Sequence, residues 1–236
     1  MLLCRVPRRS DMQEALELPL LERSDLRLYA ICKRALDLVG AVLMLVLLSP
    51  VMLICAVLIK LDSPGPVLFR QQRVGQGGRL FTCFKFRTMY VDADQSLHKQ
   101  YVLALMAAEG DDSLRDEHGL YKLPNDPRVT RIGRWLRRTS LDELPQLWNV
   151  LRGEMSLVGP RPPIPYEVEH YKPEQLGRLT VKPGITGLWQ VKGRNRTTFE
   201  QMVALDLEYV RRRGLMLDLW ILLMTLPVVL LARDCR

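Results

Sequence analysis

Cysteine is scarce in this chain and badly placed for chemistry: Cys4, Cys32, Cys55, Cys83 and Cys235 are scattered, odd in number and form no C-x-x-C pair. That pattern excludes a zinc ribbon and an evident disulfide framework, and it reads as reduced cytosolic thiols, with Cys55 inside an apolar run. A secretory signal is also missing. The only suitable apolar stretch begins far from the N-terminus and lacks a small-residue cleavage site, so the polar bulk is expected in the cytoplasm. The cluster Gly75-Gln76-Gly77-Gly78 has neither the Lys-Ser/Thr ending of a P-loop nor the strand-to-helix setting of a dinucleotide fingerprint, and it reads as a turn. No internal repeat or long low-complexity tract occurs.

The chain has 236 residues, enough for one domain with appendages, and a net charge of +8. A basic surface suits nucleic acid, anionic lipid or phosphorylated substrates. The apolar run over residues 38–59 tips the choice toward membrane and phosphate. At ~1.5 Å per residue a straight helix of that length would cross the ~30 Å hydrocarbon layer. Ser49-Pro50 interrupts it: Pro50 offers no N–H to the Val46 carbonyl, which leaves that carbonyl to the Ser49 hydroxyl. Arg5, Arg8, Arg9, Arg23, Arg27, Lys33 and Arg34 precede the run, and Lys60, Arg70, Arg73 and Arg79 follow it. A single span would put one basic flank outside, against the positive-inside bias. The preferred reading is a re-entrant helix–break–helix hairpin over residues 31–61, with a Pro-kinked single span as the alternative.

Residues 1–30 read as a poorly defined lead-in, and residues 62–236 as a membrane-associated catalytic domain on the cytoplasmic face. Asp62-Ser63-Pro64-Gly65-Pro66 is a dense turn signal. The β-formers of residues 67–73 and 79–85 flank the glycine cluster and predict a β-hairpin. Residues 91–108 read as helix, and residues 109–121 as an acidic, poorly patterned loop. A basic helix follows Asn125-Asp126-Pro127: Arg128, Arg131, Arg134 and Arg137 recur beside Val129, Ile132, Trp135 and Leu136. It is either a solvated amphipathic face or one turned to an interface or to phosphate. Prolines 160, 162, 163 and 165 impose an extended path around Arg161, and Lys182-Pro183-Gly184-Ile185-Thr186-Gly187 is a second rigid loop. Residues 198–213 should be helical. Residues 215–231 are apolar apart from Asp218 and Thr225, contain Pro227, and suit a buried or interfacial helix. The fold class expected is α+β, mainly helical, with a re-entrant membrane helix hairpin, interfacial amphipathic helices and a small β-hairpin.

The sharpest candidate for chemistry is Ser140-Leu141-Asp142-Glu143-Leu144-Pro145. A helix predicted from Glu143 to Leu151, closed by Gly153 at C′, would put Asp142 at its N-terminus, ionised and next to a site favourable to phosphate. Such an Asp can attack phosphorus and hold the group as an acyl phosphate. It can equally be an N-cap, or Ser140 and Glu143 can form a capping box. The company of Arg137, Arg138, Arg161, Lys85 and Arg87 favours the chemical reading, because such cations neutralise a diphosphate.

With these motifs assembled, the chain resembles the bacterial sugar transferase family, the monotopic phosphoglycosyl transferases. The matching segments are Lys33-Arg34-Ala35-Leu36-Asp37, Leu48-Ser49-Pro50, Asp62-Ser63-Pro64-Gly65-Pro66-Val67, Phe84-Lys85-Phe86-Arg87-Thr88-Met89, Thr139-Ser140-Leu141-Asp142-Glu143-Leu144-Pro145-Gln146, Met155-Ser156-Leu157-Val158-Gly159-Pro160-Arg161-Pro162 and Lys182-Pro183-Gly184-Ile185-Thr186-Gly187. The resemblance implies transfer of a sugar 1-phosphate from a UDP-sugar to polyprenyl (undecaprenyl) phosphate with release of UMP, the first membrane step of surface glycan or exopolysaccharide assembly. It implies Asp142 and Glu143 as the catalytic dyad, Asp142 as nucleophile, and Mg2+ beside the pair. It also implies Lys85, Arg137 and Arg161 as basic site positions, Asp206 as a further acidic candidate, and Ser49 and Pro50 as the break of a re-entrant helix. Gly187-Leu188-Trp189-Gln190-Val191 resembles members that transfer hexose 1-phosphates. Long members carry further transmembrane helices and another domain ahead of this unit, so a catalytic-domain-only form in the bacterial inner membrane is expected. A homo-oligomer is compatible with the pattern. The competing classes are a single-pass membrane scaffold with a basic lipid-binding region, and a nucleic-acid binder. The latter lacks zinc spacing, an RNP-like strand and a helix-turn-helix.

Overall fold

Helix α1, Arg23–Asp62, opens the described part of the protein and carries Pro50 in its interior. The structure, a computed structural model, describes residues 23–94, 96–107, 126–193 and 197–230. The readings for most of the lead-in and for the acidic loop at 109–121 lie outside the described residues. Where the sequence predicts helix, break and helix, the backbone forms one continuous helical element. Ser49 Oγ donates to Val46 O at 2.8 Å, meeting the carbonyl that Pro50 leaves without its usual donor. Residues Arg27–Asp62 are long and apolar enough to cross a membrane by length and composition.

Both ends of α1 are fastened to the same folded body, by the polar residues of the two flanking motifs. Near the start, Lys33 Nζ reaches Asp218 Oδ2 at 3.0 Å. Arg34 caps the end of a later helix through Val150 O (2.7 Å) and Leu151 O (2.9 Å). Asp37, 2% exposed, accepts from Ser156 Oγ and Leu157 N, both at 2.9 Å. At the far end, Asp62 Oδ2 accepts from Ile132 N at 3.0 Å, while Cys55 and Ile59 pack with Phe86 and Leu136. Between these anchors Val46 and Leu47 are exposed.

Strands β1 (Leu68–Val74) and β2 (Leu80–Phe86) form the predicted antiparallel hairpin, shifted by one residue, with Leu68 opposite Phe86 and Val74 opposite Leu80. Gly77 and Gly78 in the connection hold φ of 69° and 75°, the left-handed region that a residue with a Cβ adopts only under strain. Helix α2 (Ser96–Ala107) is followed, beyond an undescribed stretch, by α3 (Arg131–Thr139) and α4 (Gln146–Arg152). Arg128 does not join the basic helix as predicted. Thr130 Oγ1 accepts from Gly133 N and starts α3 after it, and Arg128 pairs with Asp126 at 2.7 Å in the preceding turn.

Two three-residue strands, β3 (Ser156–Val158) and β4 (Gly184–Thr186), pair in parallel inside segments that the sequence reading leaves as loops. Gly184 permits this, since a Cβ there would stand 2.1 Å from Gly159 N. Short helices α5 (Pro165–Val168) and α6 (Leu188–Lys192), and a 3-10 helix over Pro173–Thr180, lead to α7 (Phe199–Arg212), begun by a Thr198–Gln201 capping box. In α8 (Leu215–Leu230), Asp218 and Ile221 are buried, whereas Met216, Leu223 and Leu226 are well exposed. The helix is thus packed on one side and bare and apolar on the other. Asp218 receives Tyr29 Oη at 3.0 Å and Tyr209 Oη at 2.8 Å as well as Lys33, which ties α1, α7 and α8 together around Leu147, Val150, Met155 and Leu157 of the main core.

Candidate active site

Alternation along the hairpin puts Phe69 opposite Lys85 and Gln71 opposite Cys83, and these residues with Arg73 line one wall of an open cleft of about 1320 Å³. The facing wall is the 3-10 turn Leu141–Glu143. The sequence predicts an α-helix starting at Glu143, but Pro145 has no N–H to give to Leu141, so α4 starts only at Gln146. It ends on Gly153 at φ 78°, as predicted. Ser140 takes φ 58° and makes no side-chain cap, so the capping-box reading does not hold. Asp142 sits in the first turn of this 3-10 segment, which leads through helical Leu144 and Pro145 into α4.

The cleft gathers Asp142, Glu143, Lys85, Arg137 and Arg161. Lys85 Nζ lies 2.7 Å from Glu143 Oε1. Burial acts to raise Glu143, but the Lys85 charge and hydrogen bond, followed by Arg161 and Arg73, outweigh it and hold this carboxyl below its ordinary value. Asp142 goes the other way. Burial, reinforced by the neighbouring Glu143 charge, pushes it up to about 6 against the pull of Lys85 and Arg137. Desolvation thus works against the charge that the sequence reading expects here, although a carboxyl at about 6 is still mainly ionised at neutral pH. Adjacent carboxyls in one sequence step thus have opposed tendencies, a division that commonly separates the roles of paired acids.

Arg137 is turned inward by Nε donating to Thr88 Oγ1 at 2.9 Å, and burial lowers its guanidinium from the ordinary value. Arg161 faces the buried Glu167 at 3.4 Å, and its carbonyl receives Arg178 Nη2 at 3.3 Å. The prolines around it are tied as well, with Pro162 O accepting from Arg73 Nη1 at 2.8 Å and Pro163 O from Val74 N at 2.9 Å. Three further sequence candidates spend their charge elsewhere or stand apart, although Arg87 also lines the cleft. Arg87 donates to the carbonyls of Ser63, Pro64 and Pro66 at 2.7–2.8 Å, so its charge secures the turn after α1. Arg138 is exposed on α3. Asp206 is fully buried and paired with Arg178, which also donates to Tyr171 Oη at 2.8 Å. Burial raises Asp206 to about 6 despite Arg178. It does not line the cleft, but it sits directly behind Arg161, touching that residue's backbone and sharing Arg178 with its carbonyl.

Among the described residues no three His, Cys, Asp or Glu side chains converge as a metal cage. Asp142 and Glu143 nevertheless offer hard oxygen donors on an otherwise cationic cleft, and one or two carboxylates completed by substrate phosphate oxygens is how magnesium is usually held. The donor set fits that ion.

The family model for bacterial sugar transferases matches residues 28–232, which include every element of the cleft. The chain belongs to the bacterial sugar transferase family. Among its relatives, the UDP-galactose-lipid carrier transferase of Erwinia amylovora is 47% identical over 84% of the chain and 40% of its own length. The exopolysaccharide production protein ExoY of Rhizobium meliloti is 42% identical over 85% of the chain and 86% of its own. The UDP-glucose:undecaprenyl-phosphate glucose-1-phosphate transferase of Caulobacter vibrioides is 43% identical over 84% and 69%. The chain thus spans less than half of the first relative and most of the second. Within the family match, sequence reasoning passed over Arg73, Thr88 and Trp189 as cleft residues. Arg73 was within reach, since it lies two and four residues from Gln71 and Phe69 on one strand face.

Proposed function

We propose that this sugar transferase moves a hexose 1-phosphate from a UDP-sugar to undecaprenyl phosphate. An Asp142 oxygen attacks the phosphorus that carries the sugar, the bond from that phosphorus to the bridging oxygen breaks, and UMP leaves with the electron pair. The acyl phosphate is then attacked at the same phosphorus by a phosphate oxygen of the acceptor. The aspartyl–phosphorus bond breaks, Asp142 leaves as carboxylate, and a polyprenyl diphosphate sugar is formed. Lys85, Arg137 and Arg161 neutralise the phosphate oxygens, and the Lys85 bridge keeps Glu143 charged beside the nucleophile. Asp142 and Glu143 would hold a magnesium ion with the donor phosphates, and that ion supplies charge neutralisation of the diphosphate. The observation that carries the reading is the meeting of the split Asp142–Glu143 pair with three cations from distant segments in one cleft. The activities after which two relatives are named, a UDP-galactose-lipid carrier transferase and a UDP-glucose:undecaprenyl-phosphate glucose-1-phosphate transferase, support it. Purified protein given a UDP-hexose alone should release UMP in an amount limited by the enzyme and carry a phosphosugar adduct, with turnover only when undecaprenyl phosphate is added. Chelator should stop both stages and magnesium restore them. Release of UDP in place of UMP would refute the reaction.

The cleft is placed on the cytoplasmic face of the bacterial inner membrane, with α1 entering and leaving by that face. Support comes from its two ends docking on one body with the Ser49-Pro50 region bare between them. In a cysteine-free background, cysteines at positions 24 and 96 are expected to resist an impermeant thiol reagent in intact cells and to react after lysis. Labelling of position 24 from outside would replace the hairpin with a kinked single span.

A further inference from the structure

The basic helix α3 has two faces with different tasks, and only one is used in the cleft. Its inner side carries Gly133 and Leu136, both buried, and Ile132, which packs near Cys55 and Ile59 of α1. Gly133 lies so close to Thr88 that a Cβ would meet Thr88 O at 2.0 Å, and Asp62 at the end of α1 holds Ile132 N. Helix α3 is therefore locked to the point where the apolar helix ends. Arg137 turns inward to Thr88. The opposite face carries Arg131, Arg134 and Arg138, all exposed, around Trp135, 43% exposed. These positions recur as i, i+3, i+4 and i+7 and form one stripe. None of the three arginines pairs with a described acid, and Trp148 on α4 is 54% exposed.

Exposed indoles beside unpaired guanidiniums, at the exit of an apolar helix, are the groups that settle in a headgroup layer: the ring takes the boundary and the guanidinium fork takes phosphate oxygens. We propose that the outer face of α3 is a seat for anionic phospholipid headgroups, with their phosphates on Arg131, Arg134 and Arg138 and Trp135 between them. The seat rests on the membrane placement proposed above, and not on the reaction. Because Arg137 and Ser140 of the cleft are one turn or less from the stripe, seating α3 also fixes the height of the cleft over the lipid surface. Anionic lipid then sets how well a membrane-borne acceptor phosphate reaches Asp142.

The full chain can be reconstituted in phosphatidylcholine vesicles, with or without about 30% phosphatidylglycerol, with brominated phosphatidylcholine as quencher of tryptophan fluorescence. The Trp135 signal is the difference from Trp135→Phe. It should be quenched more in phosphatidylglycerol vesicles, and the increment should vanish at about 0.5 M NaCl, where the Debye length is only a few ångströms. Combined Arg131→Gln, Arg134→Gln and Arg138→Gln should abolish the increment at unchanged helical content. Each arginine is expected to shift the seated-to-unseated ratio about fivefold. Equal quenching in both vesicles, indifferent to salt, would overturn anionic recognition. Absence of Trp135 quenching while Trp220 on α8 is quenched would put α3 in water and overturn the seat alone. If Trp220 escapes quenching too, the membrane placement fails with it.

Discussion

Asp142→Asn is expected to lower UMP release by about a thousandfold or more and to eliminate the phosphosugar adduct, because an amide oxygen cannot take the place of the attacking carboxylate. The same substitution should make the fold more stable. Burial holds the Asp142 carboxyl at about 6 in the folded protein, above the ~4 of an unfolded chain. Folding therefore favours the protonated form, so this group's contribution is most favourable below pH ~4, declines as pH rises from ~4 to ~6, and stays at its low value above that. Asparagine carries no charge at any of these values. In metal-free buffer near pH 8 the variant should gain up to about 3 kcal/mol over the parent, shrinking toward zero near pH 4, measured by urea denaturation. Near-normal turnover by a folded variant would remove Asp142 as nucleophile. A loss of stability at pH 8 would show that the carboxylate has favourable partners in the folded state.

Arg161→Ala should cost activity about a hundredfold to a thousandfold, the scale of removing one preorganised donor from a developing anion. Arg79→Ala should stay within about twofold, since Arg79 is exposed beside the glycine turn. The Arg161 effect has two parts that a second substitution separates. Removing the guanidinium takes a cation from the cleft and also leaves Glu167 buried without its partner. Glu167→Gln in the Arg161→Ala background should recover stability, read as a rise in Tm, and leave turnover low. Equal loss in the Arg161 and Arg79 variants would argue against a specific phosphate role. Recovery of turnover by Glu167→Gln would make Arg161 a structural residue.

The legible parts of the sequence are those where local chemistry repeats or is special. β-Forming residues around a glycine cluster gave away the β1–β2 hairpin, residues 198–213 read as the helix that α7 proves to be, and Gly153 marked the end of α4. The strands β3 and β4 were not readable, because three residues carry no periodicity, and their pairing joins Ser156 to Gly184 across a long stretch of chain. Pro145 was visible, yet its effect on the start of α4 depends on which carbonyl it fails to serve, and that is a matter of backbone geometry. Lys85 and Arg87 show the same limit for the site. Two residues apart and alike in charge, one bridges to Glu143 and the other satisfies three carbonyls of a turn. Asp206 carried an acidic label in the sequence. Only its burial against Arg178 and the Arg161 backbone reveals that it stands one layer behind the cleft.

The fastening of α1 bears on how this protein can be handled. Its first polar turns supply the ammonium that neutralises Asp218, the guanidinium that closes α4 and the carboxylate that receives the Ser156 hydroxyl and the Leu157 amide of β3. Each is a partner that water does not replace at a buried position such as Asp218 or Ser156. Trimming the chain after residue 62 to obtain a detergent-free catalytic fragment would strip a buried acid, a helix end and a strand of their counterparts at once. A soluble version is better sought by changing the bare apolar side chains of α1 and α8, such as Val46, Leu47, Met216 and Leu223, while every rung of the Lys33, Arg34 and Asp37 ladder stays in place.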